Sequence, residues 1–416
     1  MSVNILLYLI YLYSFNLVAT DMQRKILTSG SITHPCPMKT LNAISLSTTL
    51  QCPHCHKQYN IEERQSFATC CNQPLLTGYD LDLPKSYLLH NAERTIWRYA
   101  KLLPVFDKHN IVSLGEGWTP VSALSALSQR NYLLLKDESV NPTGSFKARG
   151  ISVAVSKAKE LGITHCIIPT AGNAGGALSA YCAKAGIKAT VVMPRHTPAT
   201  LQEECRIYGA ELILADGLID DCGKLARQLV AETGGFDMST LKEPYRLEGK
   251  KTMGYEIAEQ LNWKLPDVII YPTGGGTGLI GMWKAFHEMQ QLGWISGPLP
   301  RMVMVQSENC APMVRLFEHE QNMPASPTIA YGLAVPVPFA KDLMLEVLEQ
   351  SNGTALTVSE QEMEDGIVEV ARAEGILLSP EGSATYIGCK KLVEQGWITE
   401  DETVLLFNTG SWYKYR

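Results

Sequence analysis

Three short segments place reactive or phosphate-accepting groups at spacings that suit chemistry on a small molecule. The first, Pro142-Thr143-Gly144-Ser145-Phe146-Lys147, sets a lysine where a turn gives way to a helix. The positive end of a helix disfavours a second cation. That placement lowers the amine's pKa and leaves it a nucleophile toward an aldehyde. The second segment, Thr170-Ala171-Gly172-Asn173-Ala174-Gly175-Gly176, combines small residues, which let a planar ligand approach the backbone, with the side-chain donor of Asn173. The third, Thr273-Gly274-Gly275-Gly276-Thr277-Gly278, exposes successive backbone N–H groups at a helix N-terminus, which makes a phosphate cradle. Its spacing matches neither the nucleotide P-loop nor the dinucleotide glycine fingerprint, which argues against ATP and NAD. Each segment alone also has a plainer reading. Lys147 is then a surface lysine near a turn, Asn173 a helix N-cap, and the third segment a flexible loop. Against the last stands the entropy cost of so many small residues on one turn unless something must approach them.

A fourth group is of another kind. Cys52-Pro53-His54-Cys55 puts two thiols on one tight turn, and Cys70-Cys71 follows. Two such knuckles make a tetrahedral zinc site. The second knuckle is irregular, because the residue three before Cys71 is Ala68, so that Cys70, His54 or His56 must stand in. Cys52, Cys55, Cys70 and Cys71 therefore form either a structural zinc site or a ribbon that has lost its metal.

The elements that must position the first three segments alternate in type from Glu93 onward. Apolar runs predict strands at Tyr132–Leu135, Cys166–Pro169, Ala189–Met193, Glu211–Leu214, Val268–Tyr271, Met302–Gln306 and Val404–Phe407. Between them, Ile151, Ala154, Val155 and Ala158 share one helical face, a helix through Ala177–Ala185 stops at Gly186, and another runs through Leu279–Met289. Alternation with apolar strands implies an α/β fold with parallel sheets covered on both faces. Ligands then bind at the loops following the strands' carboxyl ends, where all three segments lie.

Composition bounds the rest. With 416 residues, 45% hydrophobic and 19% charged, the chain is long enough for two α/β domains and an appendage. The net charge of −6 and the lack of a basic stripe exclude a nucleic-acid partner. Cys166, Cys182, Cys205, Cys222, Cys310 and Cys389 are scattered among apolar or helical stretches, as reduced core thiols are, which points to the cytoplasm. Val3–Ala19 carries no charge, but its 17 residues are at the short limit for a membrane span, and no positive residues precede it as in a signal peptide. It reads as an extension upstream of Met22 or Met38, as a signal or anchor, or as a strand, with no stable membrane partner expected.

Taken together, NPTGSFKARG (141–150), TAGNAGG (170–176), PTGGGTG (272–278) and NTGSW (408–412), in this order and context, resemble the tryptophan-synthase-β superfamily of pyridoxal-phosphate (PLP) enzymes. The cysteine segment, GEGWTP (115–120) and IAYGLAVP (329–336) bring the chain closest to the threonine synthase branch. The resemblance implies fold type II: two open twisted parallel-sheet domains preceded by a small zinc-ribbon-like segment. Its boundaries here are an extension at 1–49, the cysteine segment at 50–80, a large PLP domain at 81–150 with 250–416, and a small α/β domain at 151–249. It implies that Lys147 holds the cofactor as a Schiff base and moves protons at the substrate's α and β carbons. Asn173 meets the cofactor's phenolic oxygen, Gly274, Gly275, Gly276, Thr277 and Gly278 its phosphate, and Thr409 its pyridine nitrogen. Ser145, Thr170 and Arg149 border the substrate. The implied reaction turns O-phospho-L-homoserine into L-threonine, by γ-elimination of phosphate and β-addition of water, in a homodimer.

Three residues depart from the family pattern. Ala148 replaces the aspartate of SFKDRG, Ala171 the serine of TSGN, and Trp412 a glycine. Lost polar groups near a doubly charged phosphate keep rivals open: serine or threonine deamination, β-replacement as in cysteate synthases, and a PLP-binding regulatory protein without activity. A compensating cation is sought in Arg149, Lys184, Lys250 or Lys251.

Overall fold

In the computed structural model of the chain, residues 44–128, 132–321 and 323–415 are described, and the apolar segment near the N-terminus lies outside them. Thirteen strands in these residues form three sheets. The first sheet is antiparallel, in the order β2-β1-β3, from β1 (Ser47–Gln51), β2 (Gln58–Tyr59) and β3 (Leu76–Tyr79). It frames the cysteine segment.

The largest sheet comprises β4 (Val121–Ala123), β5 (Leu133–Asp137), β10 (Val268–Pro272), β11 (Arg301–Ser307), β12 (Thr354–Val358) and β13 (Val404–Asn408). Its order is β12-β11-β10-β13-β5-β4, parallel throughout except for the short edge strand β4. The alternation of side chains along each strand feeds two cores. Ile269, Tyr271, Met302, Met304, Leu405 and Phe407 enter one, and Val268, Ile270, Val303, Val305, Val404 and Leu406 enter the other. That double burial is why these strands read as unbroken apolar runs. A fully parallel sheet, in the order β8-β7-β6-β9, is made by β6 (His165–Pro169), β7 (Lys188–Pro194), β8 (Glu211–Ala215) and β9 (Phe236–Asp237). All seven predicted strands are present. Strands β4, β9 and β12 and the first sheet are additions.

Two helices fix the geometry between the sheets. Lys147–Glu160 buries Ile151, Ala154, Val155 and Ala158 in the core beneath the smaller sheet. It crosses Tyr245–Gln260, which is buried along nearly its whole length. At the crossing a Cβ on Gly150 would collide with the carbonyl of Arg246, and one on Gly249 with the carbonyl of Arg149. Only glycines let the two backbones come this close, and the contact brings Arg246 against the first turn of the Lys147 helix.

The same crossing corrects the expectation for Arg149. Its side chain is fully buried and ion-paired, with Nε 2.6 Å from Glu138 Oε2 and Nη1 2.6 Å from Glu256 Oε1. Lys136 completes the cluster, 2.9 Å from Glu256. Every nitrogen of Arg149 has a protein partner, so it braces the fold and has no donor left for a substrate.

Candidate active site

Four strand ends converge on one cavity. Beyond β5 the chain makes two short 3₁₀ turns and enters the Lys147 helix. Beyond β6 it runs through Thr170 to Asn173 and the helix Ala174–Ala185, which Gly186 ends at φ 69°. Beyond β10 it passes the glycines into Thr277–Gln291, and beyond β13 it reaches Thr409. The cavity is lined by Lys147, Thr170, Asn173, Gly274–Gly278 and Thr409 together. Backbone bonds hold the lysine loop to the β13 end: Phe146 N donates to Thr409 O at 3.0 Å, and Ser411 N to Gly144 O at 2.8 Å.

Ser145 does not line the cavity. It is fully buried, bridges Gly410 through its backbone, and turns Oγ toward Lys147 N at 3.4 Å. It shapes the lysine loop from beneath. Ala148 is likewise buried in the helix packing and away from the cavity, whereas Ala171 lines it.

Lys147 has its pKa lowered to about 7, first by burial and then by the nearby Arg246 cation, with Glu381 opposing. The main cause is therefore desolvation, with a neighbouring cation behind it. The amine is available at neutral pH either way. Arg246 is the cation that the lysine-and-arginine candidates did not include. It is buried and lines the cavity, Nη1 donates to Met238 O at 2.7 Å, and Nε has no hydrogen-bond partner among the described residues. Its nearest carboxylate, Glu243, stands 3.9 Å away with its own pKa raised to about 8 by burial. Of the four candidates, Lys184 is exposed, Lys251 is paired with Glu248 at 2.7 Å, and Lys250 donates to Lys147 O at 3.1 Å. A signal was present: Arg246 and Lys250 are like charges four residues apart on one helix, an arrangement that is unfavourable unless something else faces them.

The glycine loop fits a phosphate. A Cβ on Gly274 would strike the carbonyl of Gly332, one on Gly276 the Met344 sulfur, and one on Gly278 the Tyr271 hydroxyl. Side chains are excluded and backbone N–H groups remain, at the start of a 15-residue helix. Asn173 occupies an N-cap position, yet its side chain makes no capping bond and its Oδ1 is buried without a partner. With a depressed lysine, an amide whose Oδ1 is unmet, a glycine cradle and a terminal hydroxyl, the residues present fit PLP.

At the other end of the chain, the sulfur atoms of Cys52, Cys55, Cys70 and Cys71 lie within 4.8 Å of one another. Two similar turns bring them there. Cys52 N bonds Lys57 O and Ala68 N bonds Gln73 O, while His56 and Asn72, each following a cysteine, have φ of 60° and 51°. Ala68 thus stands where the first turn has Cys52, and Cys70 supplies the missing sulfur. The four thiols suit a tetrahedral zinc ion.

A family model described as pyridoxal-phosphate dependent enzyme matches residues 112–410. Curated threonine synthases are similar along most of the chain. That of Methanocaldococcus jannaschii is 34% identical over 373 residues, 86% of this chain and 91% of its own length. That of Mycobacterium tuberculosis is 34% identical over 321 residues, 76% and 87% of the two chains. Among solved structures, maize serine racemase superposes with a TM-score of 0.59 at 21% identity, covering 70% of this chain and 87% of that one. A threonine deaminase from T.th. gives 0.58 at 24%, covering 70% and 92%. Both share the fold. No helix among the described residues is long and apolar enough to cross a membrane.

Proposed function

Because this chain belongs to the pyridoxal-phosphate-dependent enzymes, we propose that it is a lyase forming L-threonine from O-phospho-L-homoserine, with loss of phosphate from Cγ and addition of water at Cβ. The observation that carries this reading is Arg246, a buried guanidinium in the Lys147 cavity with an unpartnered Nε. A buried cation short of counter-charge is unfavourable until an anion arrives, and a substrate phosphate is such an anion. The relatives named threonine synthase support the same substrate.

The cofactor, when bound, draws electron density from the substrate's Cα, so that protons next to the leaving group become removable. The protein's residues do the rest. Lys147 would hold the cofactor's aldehyde carbon until the substrate's amine takes its place. The freed lysine amine would then take and return protons at Cα and Cβ, a role its pKa of about 7 suits. Gly274 to Gly278 hold the cofactor phosphate, Asn173 its phenolic oxygen and Thr409 its pyridine nitrogen. A hydroxyl in that last place leaves the nitrogen largely unprotonated, which suits elimination over transamination. Thr170 borders the substrate, and Arg246 takes the place expected of Arg149.

Ala148 bears less on the substrate than its motif position implies, since it packs in the helix core. Cys52, Cys55, Cys70 and Cys71 would hold a structural zinc, and the segment takes no part in the chemistry. The reading also includes a homodimer in the cytoplasm, supported on the second point by six buried free thiols from Cys166 to Cys389.

The test is incubation of the purified, PLP-loaded protein with O-phosphohomoserine, threonine, serine and phosphoserine. Release of inorganic phosphate with stoichiometric threonine supports the synthase. Ammonia and 2-oxobutyrate from threonine, with no turnover of O-phosphohomoserine, would replace it by a deaminase, and β-exchange on phosphoserine by a cysteate-synthase-like enzyme.

A further inference from the structure

We propose that Tyr415, backed by Glu381, is a positioning residue that locks the amide of Asn173 so that an N–H group faces the cofactor's phenolic oxygen. The inference rests on the reading above, in which PLP is held at Lys147. Tyr415 comes from the 3₁₀ turn Trp412–Tyr415 and lines the cavity. Its ring stacks on Tyr331, with centroids 6.1 Å apart and planes at 18°. Its hydroxyl lies 3.1 Å from Asn173 Nδ2. The turn itself is clamped, because Lys414 pairs with Glu204 at 2.7 Å and donates to Thr143 O at 2.7 Å.

The direction of these bonds decides what Asn173 can do. A phenol has one hydrogen to give. On the far side of Tyr415 stands Glu381, whose Oε1 accepts from Gly332 N at 2.7 Å and whose Oε2 is buried without a partner. Burial above all, and then Glu381, holds the phenol's pKa well above its ordinary value, so the phenol keeps its hydrogen. Asn173 Nδ2 is the donor in its contact with Tyr415, and the unmet Glu381 Oε2 is the acceptor left for the phenol's hydrogen. The Tyr415 oxygen must then accept from Asn173, and the Asn173 group facing it is NH₂, never C=O. One amide hydrogen is used, the second remains, and the amide plane is fixed. Without the phenol, the amide can turn over and present its carbonyl to the cofactor oxygen instead.

An N–H donor stabilises an anionic phenolic oxygen and so favours the deprotonated form of the lysine–cofactor linkage. Losing that donor raises the pH at which the linkage titrates. The groups facing Lys147 are Arg246 and Lys250 from the Tyr245–Gln260 helix, Glu381 from Pro380–Glu394 and Tyr415 from the terminal turn. Of these, Tyr415 is the one bonded to Asn173.

The experiment is a spectrophotometric pH titration of the lysine-bound cofactor in the wild-type holoenzyme, Tyr415→Phe, Glu381→Gln and Gly410→Ala. The last variant tests the same contact from another side, because a Cβ there would lie 3.2 Å from both Asn173 Nδ2 and the Tyr415 hydroxyl. We expect the midpoint to rise by about one pH unit in Tyr415→Phe and Gly410→Ala, less in Glu381→Gln, with faster release of PLP. Unchanged midpoints and release rates in Tyr415→Phe and Gly410→Ala, with the visible band intact, would overturn the positioning role alone. A wild-type protein that shows no such band, and whose Lys147 is not labelled by borohydride trapping, would overturn the PLP reading itself.

Discussion

Arg149 and Arg246 sit on two helices in contact, both buried, and they do opposite things. Arg149 meets Glu138 and Glu256 with all of its nitrogens. Arg246 has a backbone carbonyl, a carboxylate at 3.9 Å and one unmet N–H, and it faces the cavity. The family resemblance favoured Arg149, two residues from the reactive lysine. The structure teaches that satisfaction separates the two better than position does. A cation whose donors are all met holds the fold, and one left short is placed for a ligand.

The largest effect we expect in breaking this contrast is at the lysine both arginines flank. Lys147→Ala should lower turnover by roughly 10⁴-fold or more, as loss of a covalent group does, and peptide mapping after borohydride reduction should find no cofactor. Cofactor trapped on Lys250 in the wild type would move the site. Next comes Arg149→Met, which leaves two buried carboxylates without their main partner and should destabilise the protein by about 3–5 kcal/mol in urea unfolding. Arg246→Met should instead leave unfolding nearly unchanged and lower kcat/KM for O-phosphohomoserine by roughly 10- to 100-fold. If the two variants exchange these outcomes, the assignment of scaffold and site is reversed.

A smaller effect tests the electrostatics. The folded apo-protein holds Lys147 at about 7 against the ordinary 10.5, so the unfolded chain binds the extra proton between these values. The folded state is penalised most at and below pH 7, and the penalty fades as pH rises toward 10.5. Lys147→Met should therefore melt above the wild-type apo-protein at pH 7, with the gap closing by pH 10. A gap independent of pH would mean that the lysine is not desolvated. The smallest effect on catalysis belongs to Cys52→Ser with Cys55→Ser. These variants should lose bound zinc by metal analysis while keeping their turnover number.

The architecture was legible where burial was two-sided. Val268–Tyr271 and Val404–Phe407 are apolar at every position because both faces are covered. Strand β12, Thr-Ala-Leu-Thr-Val, was missed because it is an edge strand with half-buried threonines. The helix Tyr245–Gln260 shows no apolar stripe, since its charged residues are buried as deeply as its leucine and methionine, Glu248, Lys251 and Glu256 among them in ion pairs. In the site, the glycine loops and Lys147 could be read because their chemistry lies in local backbone shape. Arg246, Glu381 and Tyr415 could not, because they come from three distant elements that meet only in the folded chain. Ser145 was misread for a simpler reason: a turn can point a neighbour of the key residue under the loop.

The order of the largest sheet has a consequence for how the protein is made. Strand β13, the latest of the described strands to leave the ribosome, belongs between β10 and β5, at the sheet's centre. Until it emerges, β5 and β10 lack the neighbour that joins them, and Thr409 and Tyr415 are absent from the pocket. Non-local pairing of this kind is slow, and it makes catalytic competence a property of the finished polypeptide. A stalled or prematurely terminated translation product would carry the reactive lysine and yet have an open slot in its sheet, a target for chaperone or protease.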